Sequence, residues 1–133
     1  MNKPSRLGNA RQSIGRFGEH AAEQYLIEQG YSILGRNWRC RSGELDIIAK
    51  QEKTLVIVEV RTRRANSKFG TALESVDVRK QLQVRSTTEV FLSMNKLHGM
   101  QMRFDVIAIT ASVFPSEQQS YTITELKHIQ AAF

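Results

Sequence analysis

The chain has 133 residues, 41% of them hydrophobic, which is one domain's length with enough apolar content for a core; it shows no apolar run near the ~20 residues of a membrane span, no apolar signal-peptide core in its first twenty residues, and one cysteine, Cys40, too few for an internal disulfide, so the expected location is the cytoplasm. The net charge of +6 is uneven: residues 1–85 hold 16 Lys/Arg against 9 Asp/Glu, or +7, and residues 86–133 hold 3 against 4, or −1. Such a basic segment either serves as a solvated face or attracts polyanions, chiefly nucleic acid.

Residues 1–13 carry Lys3, Arg6 and Arg11 with no acid, and read as a flexible basic arm. Residues 14–133 read as one domain. Ile14, Phe17, Ala21, Tyr25 and Gln29 recur at helical spacing, with Gly30 as the C-cap. "YSILGRNW" is a first expected strand, and "ELDIIAK" and "TLVIVEVRTR" are a second and third, short and rich in Val and Ile. "RANSKFGTA" is a polar loop, and a helix follows from about Leu73 to Leu92. "MRFDVIAI" is a fourth strand, "SYTITEL" a fifth, and "KHIQAAF" a short terminal helix. That order gives an α/β fold, with a mixed sheet flanked by helices.

Two expected core strands each carry an acid. Side chains alternate across a strand, so Leu55, Ile57, Glu59, Arg61 and Arg63 share one face, opposite Val56, Val58, Val60 and Thr62. By the same rule Glu44, Asp46 and Ile48 oppose Leu45, Ile47 and Ala49. If residues 52 and 53 form a hairpin turn, Lys50 faces Leu55, Ile48 faces Ile57, and Asp46 faces Glu59. Two carboxylates at cross-strand distance repel unless a proton or cation intervenes, and Mg²⁺ is a hard ion that one or two carboxylates can hold. The alternative is a salt bridge from Glu44 or Glu59 to Arg61, with Asp46 capping a turn. Glu19 borders the apolar stripe of the first helix. On the second helix Lys80 falls within the stripe Leu73, Val76, Val84, Thr87 and Phe91, although a second apolar set, Val78, Leu82 and Leu92, leaves its direction open between the acids and solvent. Asp105 is either a distant acid of the site or a partner for an arginine. Trp38 and Tyr31 read as core or strand-edge groups.

The stretch "GRFGEHAAEQYLIEQGYSILGRNWRCRSGELDIIA", followed by "VEVRTR", "FGTALESVDVRKQ" and "RFDVIAI", resembles the YraN family of small predicted endonucleases over about residues 15–110. That family is similar to the PD-(D/E)xK restriction-endonuclease-like superfamily, and in layout to the archaeal Holliday junction resolvases. The resemblance implies a core ordered helix-strand-strand-strand-helix-strand. It implies that Asp46 fills the first acidic place of the motif, Glu59 the second, and Arg61 the place usually held by lysine. It makes Glu19 a first-helix metal ligand and puts Lys80 near the site. Arginine, unlike lysine, does not serve as a base.

The expectation is a Mg²⁺- or Mn²⁺-dependent endonuclease acting on DNA. Asp46, Glu59, the Val60 carbonyl and Glu19 would hold the metal, with Arg61 and Lys80 beside it. Arg63, Arg64 and Lys68, with Arg16, Arg36, Arg39 and Arg41, would contact phosphates, which position DNA without reading sequence. Selectivity for branched or processed DNA is therefore expected over sequence specificity, and the resolvase likeness raises a homodimer. Arg61 motivates an alternative, a DNA-binding module that keeps the scaffold without the chemistry. A third reading is an assembly partner in DNA processing that uses Val78, Leu82 and Leu92 as its interface.

Overall fold

Two apolar stretches, 45–49 and 55–60, form the centre of the molecule. In a computed structural model, which describes residues 6–66, 76–114 and 120–133, they lie in adjacent strands of a five-stranded sheet. The elements are α1 (Arg6–Glu28), β1 (Ser32–Cys40), β2 (Gly43–Gln51), β3 (Thr54–Arg64), α2 (Val78–Asn95), β4 (Gln101–Phe114) and β5 (Ser120–Ile129). Spatial order follows chain order, and every pairing is antiparallel except β3 with β4. The parallel pair runs from Thr54↔Gln101 to Arg64↔Ala111 and needs a crossover, which contains α2. β3 is buried on both faces from Leu55 to Val60, which explains its unbroken apolar run.

The helices cover opposite faces. Ala22 and Leu26 of α1 pack with Ile47, Ala49, Val56, Val58, Val60, Ile107 and Ile109. Val84, Phe91 and Leu92 of α2 pack with Leu45, Ile48, Leu55, Ile57 and Phe104. At Gly18 the backbone of α1 comes so near β3 that a Cβ there would lie 1.8 Å from Thr62 Oγ1. Tyr31 is buried in the α1 layer, and Trp38 packs edge-on against Phe91.

Several boundaries differ from the sequence-based expectations. α1 begins at Arg6, so residues 6–13 of the expected arm are helical, while residues 1–5 lie outside the described residues. The helix closes as anticipated at Gly30, whose φ is 91°. α2 starts at Val78, because Asp77 caps it by accepting the Lys80 N–H at 2.9 Å; Leu73 lies outside the described residues. The expected terminal helix is absent. β5 continues to Ile129, paired with Val106, and Ala132 N–H then donates to Phe104 O at 2.7 Å while Phe133 stacks on Phe104. Cross-strand pairing outweighs the weak helical preference of that segment. The second apolar set of α2 is split: Val78 and Leu82 are exposed but Leu92 is core, so the three do not form one interface. Among the described residues no helix is long and apolar enough to cross a membrane.

Candidate functional site

Backbone pairing of β2 with β3 runs from Gln51↔Thr54 through Lys50↔Leu55 and Ile48↔Ile57 to Ile47↔Val58, which is the expected register. Asp46 and Glu59 come next, and there side chains replace the ladder. Val60 N–H donates to Asp46 Oδ2 at 2.9 Å, and Asp46 N–H donates to Glu59 Oε2 at 3.4 Å. Each carboxylate thus serves a backbone donor of the other strand.

Strict alternation along β2 fails at this point. Leu45 and Ile48 lie in the α2 layer and Ile47 in the α1 layer, so Leu45 is not on the face of Ile47 and Ala49 as the periodicity predicted. The neighbouring edge strand breaks at the same level. Arg36 pairs with Ile47 and Trp38 with Leu45, which leaves Asn37 opposite Asp46, and Asn37 has a φ of 49°. β3 keeps its alternation, so Glu59 follows Leu55 and Ile57 onto the α2 side.

On that side Lys80 Nζ is 3.6 Å from Glu59 Oε1, and Arg61 Nη2 is 3.9 Å from the same oxygen. Neither contact is a hydrogen bond: Glu59 Oε1 and Arg61 Nε are both buried without a hydrogen-bond partner. Lys80 Nζ donates to Gln83 Oε1 at 3.4 Å. Burial drives the Glu59 carboxyl up to about 7 and the charge of Asp46 adds to this, while Lys80, Arg61 and the Asp46 N–H pull it back. Asp46 is also raised by burial, against the Val60 N–H, Arg61 and Lys80.

Glu19 reaches the same cluster from α1. Its carboxyl is raised by burial and by Asp46. Asn37, its amide nitrogen turned to the acids, donates to Glu19 Oε2 at 3.1 Å and Glu44 Oε1 at 3.0 Å. Glu44 pairs with Arg39 at 3.2 Å rather than with Arg61. A hollow of about 310 Å³ on the α1 side is lined by Ile14, Gly15, Glu19, Val60, Arg61 and Thr62. Another, of about 510 Å³, is lined by Asp77, Arg79, Lys80 and Gln83. Of the two cations nearest Glu59, Arg61 thus lines the first hollow and Lys80 the second.

Asp46, Glu59, Arg61 and Lys80 are thus together, with Glu19 and Val60 adjoining. Among the described residues no three His, Cys, Asp or Glu side chains stand at mutual metal-ligand spacing. The donor chemistry still fits a hard divalent ion, because two carboxylates stand together, Asp46 raises the buried Glu59, and one Glu59 oxygen lacks a hydrogen-bond donor. The expected phosphate contacts are scattered. Arg16, Arg41 and Arg64 are exposed, Arg63 is half-buried, Arg36 is ion-paired with Glu23, and Lys68 lies outside the described residues.

Asp105 is not part of this cluster. Arg103 grips it with two bonds of 2.8 and 2.9 Å, His128 Nε2 lies 2.7 Å from Oδ2, and Ala131 N–H donates at 3.0 Å. Tyr25 Oη bonds His128 Nδ1 and Tyr31 Oη accepts from Arg103. The arginine partnership was the expected alternative for Asp105; the role of His128 gave no sequence signal.

Together the architecture and the acidic pair define an α/β protein with one helix on each face of a mixed sheet and a cluster of acids and cations where its central strands part. The chain belongs to the family described as Uncharacterised protein family UPF0102, whose pattern matches residues 18–109, a span that contains Glu19, Asp46, Glu59, Arg61 and Lys80. Relatives named UPF0102 protein are found across bacteria. The chain is similar to one from Caldicellulosiruptor bescii (48% identity, covering 72% of this chain and 81% of the relative). It is also similar to one from Stutzerimonas stutzeri (49%, covering 75% and 83%) and one from Clostridium tetani (38%, covering 91% and 96%).

Proposed function

We propose that this chain is a cytoplasmic, divalent-metal-dependent endonuclease that hydrolyses DNA phosphodiester bonds, selecting branched or processed DNA rather than a sequence. The observation that carries the reading is the interlocked pair of part-buried Asp46 and fully buried Glu59, where the β2–β3 ladder ends, with a bare Glu59 oxygen facing two cations. No feature of a stable core requires that combination; a satisfied salt bridge or an apolar pair would be less costly.

In this reading Asp46 and Glu59 hold the metal and Glu19 and Val60 complete its surroundings. Bound Mg²⁺ or Mn²⁺ would supply Lewis-acid activation of water and of the phosphoryl oxygen. Lys80 and Arg61 approach from different sides and stabilise negative charge that grows on the phosphate oxygens. Arg61 orients and neutralises but takes no proton. Arg63, Arg64, Lys68 and Arg16, with Arg36, Arg39 and Arg41, contact flanking phosphates and make binding salt-dependent. Symmetric cutting of two strands needs two such sites, which a homodimer would supply; light scattering after gel filtration decides that.

The test is cleavage of linear, branched and single-stranded DNA with Mg²⁺ or Mn²⁺, comparing wild type with Asp46→Ala and Glu59→Ala. Cleavage that both variants abolish supports the reading, and no cleavage of any substrate, or equal cleavage by the variants, overturns it. Arg61 favours the second reading, a DNA-binding module without chemistry. It predicts salt-sensitive DNA binding that EDTA does not change.

A further inference from the structure

We infer that Asn37 is a positioning residue of the acidic site, holding Glu19 toward Asp46 through its amide nitrogen; this rests on the metal-site reading above. Three observations meet at this residue. First, Asn37 adopts a left-handed backbone, with a φ of 49°, inside a strand. Asn tolerates that region far better than most residues with a side chain. Second, the turn in the chain sends Arg36 to Glu23 on α1 and Trp38 to Phe91 on α2. In a regular strand these two side chains would share a face. The break matches the one at Asp46, so the two irregular residues stand opposite each other.

Third, the freed side chain lies between two carboxylates. Only the orientation with nitrogen toward them satisfies the group, since an amide oxygen there would face acceptors. The nitrogen carries two hydrogens, and it donates to Glu19 Oε2 at 3.1 Å and Glu44 Oε1 at 3.0 Å. Glu19 is repelled by both Asp46 and Glu44. Without this donor it would swing toward solvent, and the site would lose its one acid from α1. Arg39, paired with Glu44, anchors the other end of the bridge.

Asn37→Gly separates the two roles, because glycine accepts the backbone while removing the amide. In calorimetric titration with Mn²⁺, Asn37→Gly should bind about ten- to a hundredfold more weakly than wild type, the usual effect of losing a group that orients a ligand, with an unchanged melting temperature in EDTA. On a Glu19→Ala background, which removes the acceptor, the same change should add nothing. Wild-type affinity in Asn37→Gly, or a loss that adds in full to that of Glu19→Ala, overturns the inference. A metal-free readout keeps it separate from the metal reading. In NMR the side-chain amide protons of Asn37 should exchange more slowly with water than those of a solvated amide, and Glu19→Ala should speed them. Exchange as fast as a solvated amide refutes the placement. Slow exchange that Glu19→Ala relieves, in a wild-type protein that binds no Mn²⁺, supports the Asn37–Glu19 hold and removes the metal reading instead.

Discussion

Replacing Glu59 with glutamine isolates the cost of the acidic pair. The Glu59 side chain is fully buried, and its carboxyl is driven from 4.5 to about 7, first by burial and then by Asp46. A folded-state value above the unfolded one means that the native state holds the proton more tightly. Stability is then full at pH below about 4.5 and falls as pH rises through about 7. At about 1.4 kcal/mol per pH unit, the rise corresponds to ~3 kcal/mol. Glu59→Gln carries no charge and escapes that loss. In EDTA, wild type should therefore lose ground to the variant between pH 5 and pH 8, by roughly 10 °C in melting temperature for a chain of this size. Melting curves at unit steps of pH measure this directly. Excess Mn²⁺ at pH 8 should raise the wild-type curve and leave the variant where it was, because only a protein that binds the ion gains stability from it. Parallel pH dependence of the two proteins would refute the argument, since it would mean that the Glu59 charge is not buried against Asp46.

The cations should matter to rate more than to stability. Lys80→Ala and Arg61→Ala should each slow DNA cleavage by ~10²–10³ at saturating metal, and Arg61→Lys, which keeps the charge, should retain most of it; wild-type rates in both alanine variants would remove them from the chemistry. Gly18→Ala places a methyl group 1.8 Å from Thr62 Oγ1 and should cost ~1–3 kcal/mol. Adding Thr62→Ala should recover most of that in urea denaturation, and no recovery would mean that α1 is not seated on β3 at this point. Asp105→Asn leaves Arg103 and His128 without their anion and should destabilise by ~3–5 kcal/mol. In wild type the Asp105 carboxyl is raised by burial but lowered more by His128, Arg103 and the Ala131 N–H, ending below its ordinary 3.8. Its contribution is therefore present above pH 3.8 and lost as pH falls through the lower folded value, which acid titration of the near-ultraviolet signal would follow.

Much of this was legible in the sequence because it rests on periodicity. The order of helices and strands, the hairpin register that sets Asp46 against Glu59, and the stripe containing Lys80 all follow from repeats of two or of three to four residues. What was not legible breaks those repeats. Leu45 changes face because Asp46 spends its carboxylate on the neighbouring backbone, and pattern alone does not record that. Asn37 signalled only as a polar residue in a strand, although Asn is the side chain that most readily turns left-handed. The terminal segment reads as helix by local pattern because its pairing partner, β4, lies some twenty residues upstream in sequence. His128 was silent for the same reason, since its partners Tyr25 and Asp105 come from distant elements.

The two buried acids of the central strands show what separates a fully satisfied carboxylate from an unsatisfied one. Glu59 on β3 pairs with Val106 and Asp105 on β4 pairs with Val58, so they stand one residue apart in register, in the same sheet. They point to opposite faces and are treated in opposite ways. Asp105 receives two bonds from Arg103, one contact from His128 and one backbone N–H; its charge is held, and its carboxyl is lowered. Glu59 receives a single long backbone bond and has another acid beside it, and its nearest cations stay beyond hydrogen-bond reach; its carboxyl is raised. Burial alone does not distinguish them, because both are fully enclosed. The difference lies in satisfaction, and a fold able to surround Asp105 so completely could have done the same for Glu59. Glu59 instead keeps an oxygen without a hydrogen-bond partner, with Lys80 and Arg61 3.6 and 3.9 Å away, and an acid left in that state is where a change of protonation or of bound charge acts most strongly.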